Sequence, residues 1–118
     1  MANADKFENL NGFPRETITL ANWRTRPYSF WSFRNVAEMV RSARIRTATP
    51  GPLPTAVEAP ELLARPAAPG ADHSISDLLP RSQADSLLVS KNGKIICEWH
   101  ADNVERSDPH LVFSISKS

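Results

Sequence analysis

At 118 residues the chain fills at most one small domain. Hydrophobic residues at 41% and charged residues at 23% match a globular protein, and a net charge of +1 supplies no general pull toward nucleic acid or anionic membranes. One cysteine, Cys97, excludes an internal disulfide framework and suits a reducing compartment. No apolar run is long enough to span a bilayer, and residues 1–14 lack the basic and apolar regions of a secretory signal. The expectation is a soluble, cytoplasmic protein without a membrane partner.

Residues 1–22 are polar and mixed with no sustained period, and they read as an arm wrapping over something larger. Aromatic residues then crowd together at Trp23, Tyr28, Phe30, Trp31 and Phe33. Val36, Met39, Val40 and Ala43 recur at helical spacing, which predicts a short amphipathic helix over 32–43 with Arg34, Glu38 and Arg41 exposed. Prolines at 50, 52, 54, 60, 66 and 69 lack backbone donors and restrict their preceding residues, so this stretch reads as an extended connector. Residues 74–79 suggest one helical turn stopped by Pro80. Residues 85–90 and 94–99 are β-prone runs around Asn92-Gly93, a pair that tolerates the positive φ angles of a type I′ hairpin turn. A polar loop over 102–109 leads through His110–Phe113 into Ser114-Ile115-Ser116-Lys117-Ser118.

Ser114 and Lys117 form a Ser-x-x-Lys pair, which a helix places on one face, so that the amine can reach the hydroxyl. A serine needs a base to act as a nucleophile, and a lysine serves where burial and nearby positive charge favour its neutral form. Backbone N–H groups at a helix N-terminus would stabilise a developing oxyanion beside Ser114. The bare motif is unspecific: twelve serines and four lysines give about 0.4 such pairs by chance. Its plain alternative is a helix start, with Ser114 as N-cap and Lys117 solvated.

Context adds a resemblance. Asn22-Trp23-Arg24, the run Trp31–Val40, the Asn-Gly hairpin, and then His110-Leu-Val-Phe-Ser-Ile-Ser-Lys-Ser118 are similar to the entry to the active site in β-lactamase-like serine hydrolases. Within that superfamily the likeness is greatest to the 6-aminohexanoate-dimer (nylon-oligomer) hydrolases and family VIII carboxylesterases. It implies a mixed α/β (α+β) fold of the β-lactamase/transpeptidase kind, an antiparallel sheet flanked by helices. In that frame, 1–83 would be an N-terminal arm, short helix and proline-rich connector. Residues 84–118 would be the first hairpin and the start of the nucleophile helix in a domain continuing beyond this chain. Ser114 takes the nucleophile position, with its backbone N–H in the oxyanion hole, and Lys117 the general-base position. Small amides or esters would be the substrates, with no organic cofactor or metal.

The family also uses a downstream tyrosine and a later oxyanion strand. Neither is in this sequence, whose single tyrosine is Tyr28. The chain is therefore expected to be inactive alone and completed by the remainder of the same protein or a companion chain; homodimerisation is left open. A D-alanyl-D-alanine carboxypeptidase or β-lactamase would use the same pair, and a non-catalytic binding module would use it only as a helix start.

Other features weigh less. The cluster of Trp23, Arg24, Arg26, Tyr28, Phe30, Trp31, Phe33 and Arg34 suits stacking on single-stranded nucleic acid. With so little net charge, rings docked against a main body with arginines at the rim is the favoured reading, and no nucleic-acid partner is expected. His73, His100 and His110 fall at no zinc-ligand spacing. Cys97 reads as a packed strand residue, and Glu58 and Glu61 as solvated.

Overall fold

The computed structural model describes every residue except Met1, Thr47, Pro50 and Leu53, with side chains from Lys6 onward. Pro50, the first connector proline, thus lies outside the described residues. The elements run α1 (Ala2–Asn11), a 3-10 turn (Arg15–Thr17), α2 (Ser29–Ser32), a second 3-10 turn (Val36–Glu38), α3 (Pro60–Leu63), α4 (Ile75–Arg81), β1 (Ser86–Lys91), β2 (Lys94–His100) and a third 3-10 turn (Phe113–Lys117). The described residues form a mixed α+β chain with a short antiparallel sheet and several helices. Among the described residues no helix is long and apolar enough to cross a membrane. Two units are distinguished: Met1–Thr47 with Ser107–Ser118, and Ala48–Arg106.

In the first unit, residues read as having no sustained period form a helix, α1. Alanine, lysine, glutamate and leucine favour helix, and Gly12 ends it in the left-handed region at φ 81°. The Gly12 N–H donates to Glu8 O at 2.7 Å, and the Asn11 amide donates to Phe7 O at 2.9 Å. The Phe7 ring lies edge-on to Trp31, with centroids 5.2 Å apart, and 6.0 Å from Phe13.

The aromatic segment packs its rings on one another within this unit. Ile18, Trp23 and Trp31 are buried, and Phe7, Phe13, Tyr28 and Phe33 pack around them. The rings meet edge to face, the arrangement their quadrupoles favour: Phe13 to Tyr28 at 5.1 Å and Trp23 to Phe33 at 6.2 Å. Ser32 is fully buried, and its hydroxyl donates to the Trp23 carbonyl. Arginines cap the rings, Arg15 lying 4.5 Å over Trp31 and Arg26 3.9 Å over Phe30.

The helix expected over 32–43 does not form. The chain instead makes the single turn α2, then the 3-10 turn Val36–Glu38. Side chains compete for the carbonyls at this junction: Arg34 Nε donates to Phe30 O at 3.0 Å, and the Asn35 amide donates to Trp31 O at 2.8 Å. Val36 and Met39 still pack against the core, but Val40 is exposed. Arg34, expected on the exposed face, is half-buried and ion-paired to Asp108 at 3.0 Å.

In the second unit the described residues of the proline-rich stretch before Pro60 form no helix or strand. Pro60 opens α3 at its first turn, where its missing N–H costs nothing, and Pro66 makes an isolated bridge to Ser74. Ser74 caps α4 reciprocally with Asp77, each accepting the other's backbone N–H. Pro80 does not stop this helix. The stop comes at Gln83, in the left-handed region at φ 59°. Gln83 N–H donates to Pro80 O and Ala84 N–H to Leu79 O, each at 3.1 Å, a Schellman closure.

The hairpin forms where the sequence places it. Asn92 at φ 51° and Gly93 at φ 75° supply the two positive angles of the tight turn. Register runs from Ser86↔His100 to Lys91↔Lys94, and the shift from Val89↔Cys97 to Ser90↔Ile95 leaves Ile96 as a bulge. On β2's other side, Glu98 N–H donates to Val57 O at 2.9 Å.

Candidate functional site

The Ser-x-x-Lys segment is held to the aromatic core of the first unit by its upstream residues. Leu111 N–H donates to Phe33 O at 2.8 Å, Leu111 packs against the core, and the Phe113 ring lies edge-on to Phe33 at 5.6 Å. Phe113 itself is in the left-handed region at φ 46°. For a non-glycine residue that conformation is uncommon and costs roughly 1–2 kcal/mol.

The motif forms a five-residue 3-10 turn, Phe113–Lys117, and not the start of an α-helix. So short a segment cannot offset the nucleation cost of an α-helical ladder from its own hydrogen bonds. Ile115 N–H donates to Val112 O at 3.0 Å, and the Ser116 hydroxyl donates to Phe113 O. In a 3-10 turn residues three apart eclipse, so Ser114 and Lys117 share one edge. Both are exposed, and neither side chain makes a hydrogen bond or ion pair among the described residues. Among the described residues a serine–lysine catalytic geometry is not assembled, and no third catalytic group joins the pair. Val112, Phe113 and Ile115 expose apolar surface around it.

A cavity of about 660 Å³ opens in the same unit, lined in part by Phe33, Arg34, Glu38, Asp108, His110 and Leu111. Ser114 and Lys117 are not among its lining residues. The Arg34–Asp108 pair ties its two sides together across a sequence separation of 74. That separation puts the pair beyond any local sequence signal.

The second unit holds a buried polar cluster that motif reading missed. Glu98 Oε1 accepts from His100 Nε2 at 2.8 Å and from Arg106 Nε at 2.6 Å. These two bonds hold the Glu98 carboxyl below the ordinary carboxylate range. The signal for half of it was present: Glu98 and His100 stand two apart on a strand, so they share a face. Cys97 is fully buried, a packed strand residue as expected. Glu58 and Glu61 are exposed, and among the described residues no three histidine, cysteine or acidic side chains gather as a metal site would require.

Comparison with known proteins gives a distant likeness to a hydrolase. The chain is 26% identical over 104 residues to a 6-aminohexanoate-dimer hydrolase of Paenarthrobacter ureafaciens, a match taking in 85% of this chain. It covers 24% of that protein, so the chain spans about a quarter of the length of the curated relative it matches. No protein-family profile matches the chain, and no solved structure does.

Proposed function

We propose that this chain is the N-terminal part of a serine hydrolase of the β-lactamase-like kind, which cleaves small amides or esters through an acyl-enzyme on Ser114. The observation that carries the reading is the likeness to the 6-aminohexanoate-dimer hydrolase, which takes in most of the chain, together with a Ser-x-x-Lys pair at 114 and 117. In this reading 1–83 is the arm, short helix and connector, and 84–118 the first hairpin and nucleophile segment. The protein works in the cytoplasm.

The chemistry follows from the two side chains. Lys117, neutral once enclosed, takes the Ser114 proton as the serine oxygen attacks the substrate carbonyl. Backbone N–H groups at the start of the segment, that of Ser114 among them, stabilise the oxyanion. The leaving amine or alcohol departs protonated, and water then releases the acid from Ser114. Activity depends on further chain closing over the exposed turn and extending it into a helix. The apolar surface of Val112, Phe113 and Ile115 is the surface that such closure would bury. Linear aminohexanoate-type amides and short acyl esters are the proposed substrates.

The test is hydrolysis of p-nitrophenyl acetate and butyrate by the full-length protein. Ser114→Ala and Lys117→Ala should each lower kcat/KM at least a hundredfold without moving the unfolding midpoint. Activity retained in both variants would overturn the assignment.

A further inference from the structure

Two neighbouring residues, Phe33 and Arg34, hold the segment 108–113, directly before Ser114, at three points. Arg34 Nη1 donates to Asp108 Oδ2 at 3.0 Å, Leu111 N–H donates to the Phe33 carbonyl at 2.8 Å, and the Phe33 ring meets Phe113 edge-on at 5.6 Å. Arg34 is itself fixed in place. Its Nε donates to Phe30 O at 3.0 Å, and its side chain is 12% exposed, against 26% for Asp108. Charges so far withdrawn from water are screened less than a surface pair, so this contact keeps its geometry where an exposed one would exchange with solvent. The held segment also carries strain. Phe113, the residue before the serine, sits in the left-handed region at φ 46°, where a non-glycine residue persists only when its surroundings fix it.

We propose that Arg34 is a positioning residue for Ser114: through Asp108 it fixes the loop that presents the serine hydroxyl, without touching substrate itself. The inference rests on the reading of Ser114 as nucleophile and adds to it a residue far upstream. The geometry gives the reason. The contacts at Leu111 and Phe113 both end on Phe33, and two points leave a segment free to rotate about the line through them. The ion pair at Asp108 is the third point, and it removes that rotation. A serine oxygen displaced by about 1 Å from its line of attack can lose on the order of a hundredfold in rate, so a contact remote from the chemistry reads out in turnover.

Hydrolysis of p-nitrophenyl butyrate by the full-length protein, well below the unfolding midpoint of every variant, tests it. Asp108→Asn keeps the side chain's size while removing its charge, and Arg34→Gln removes the other partner. Each should lower kcat about tenfold with KM within about twofold of the parent. The double variant should be no slower than the slower single one, because both changes release the same point. Fluorophosphonate labelling of Ser114 should slow in the same proportion. Parental kcat in Asp108→Asn, losses that multiply in the double variant, or a loss that tracks the folded fraction would each overturn the role of Arg34. Should Arg34→Gln fail to fold, Asp108→Asn decides alone. Ser114→Ala separates the two claims. Full activity in that variant overturns the hydrolase reading and this role with it, whereas lost activity there beside an unaffected Asp108→Asn overturns this role only.

Discussion

Single residues carry the sharpest consequences of this structure. Glu98 is a buried acid held ionised by His100 and Arg106, so its folded-state pKa lies below its unfolded one. The stability it contributes is present in full above the ordinary carboxylate range and disappears as pH falls through the depressed value. Acid titration of the unfolding midpoint should therefore show a loss as pH falls through and below the ordinary carboxylate range that Glu98→Gln reduces. An unchanged slope in that variant would mean the three side chains do not interact as described. Trp31 is the corresponding test of the aromatic core: Trp31→Ala should cost about 3–5 kcal/mol by chemical denaturation. A cost under about 1 kcal/mol would place Trp31 on a surface.

At the scale of elements, what could be read in advance was what local chemistry decides. Asn92-Gly93 between alternating β-prone runs predicted the hairpin because the two positive φ angles belong to the turn residues themselves. The helix expected over 32–43 failed for the opposite reason. Its apolar spacing was genuine, and Val36 and Met39 do face the core, but Arg34 and Asn35 draw the carbonyls of Phe30 and Trp31 onto their side chains. Helix α1 was missed because Phe7 is its only large aromatic, and one of the rings it packs on, Trp31, lies far along the chain. The ends of α4 give a prediction at this scale. Ser74→Ala removes the reciprocal cap and should cost about 1 kcal/mol. Gln83→Gly, which relieves a left-handed non-glycine residue, should raise stability by roughly 0.5 kcal/mol. Opposite shifts of the thermal midpoint in the two variants are expected; shifts of the same sign would contradict this account of where α4 begins and ends.

For the whole molecule, the arrangement couples the Ser-x-x-Lys segment to an aromatic core through Leu111 and Phe113, while leaving Ser114 and Lys117 on an open edge. The motif was legible in the sequence as residue types and spacing; its environment was not, because the groups that would enclose Lys117 and tune its proton affinity are not its sequence neighbours. The proposed hydrolase chemistry therefore belongs to the protein in which further chain closes over this turn. The most direct test is a fluorophosphonate probe applied to the full-length protein, with the adduct mapped by peptide mass spectrometry. The account predicts one adduct per chain, on Ser114, lost in Ser114→Ala and slowed at least tenfold in Lys117→Ala. A full-length protein that takes no adduct at Ser114, or labels elsewhere with full hydrolytic activity, would contradict it.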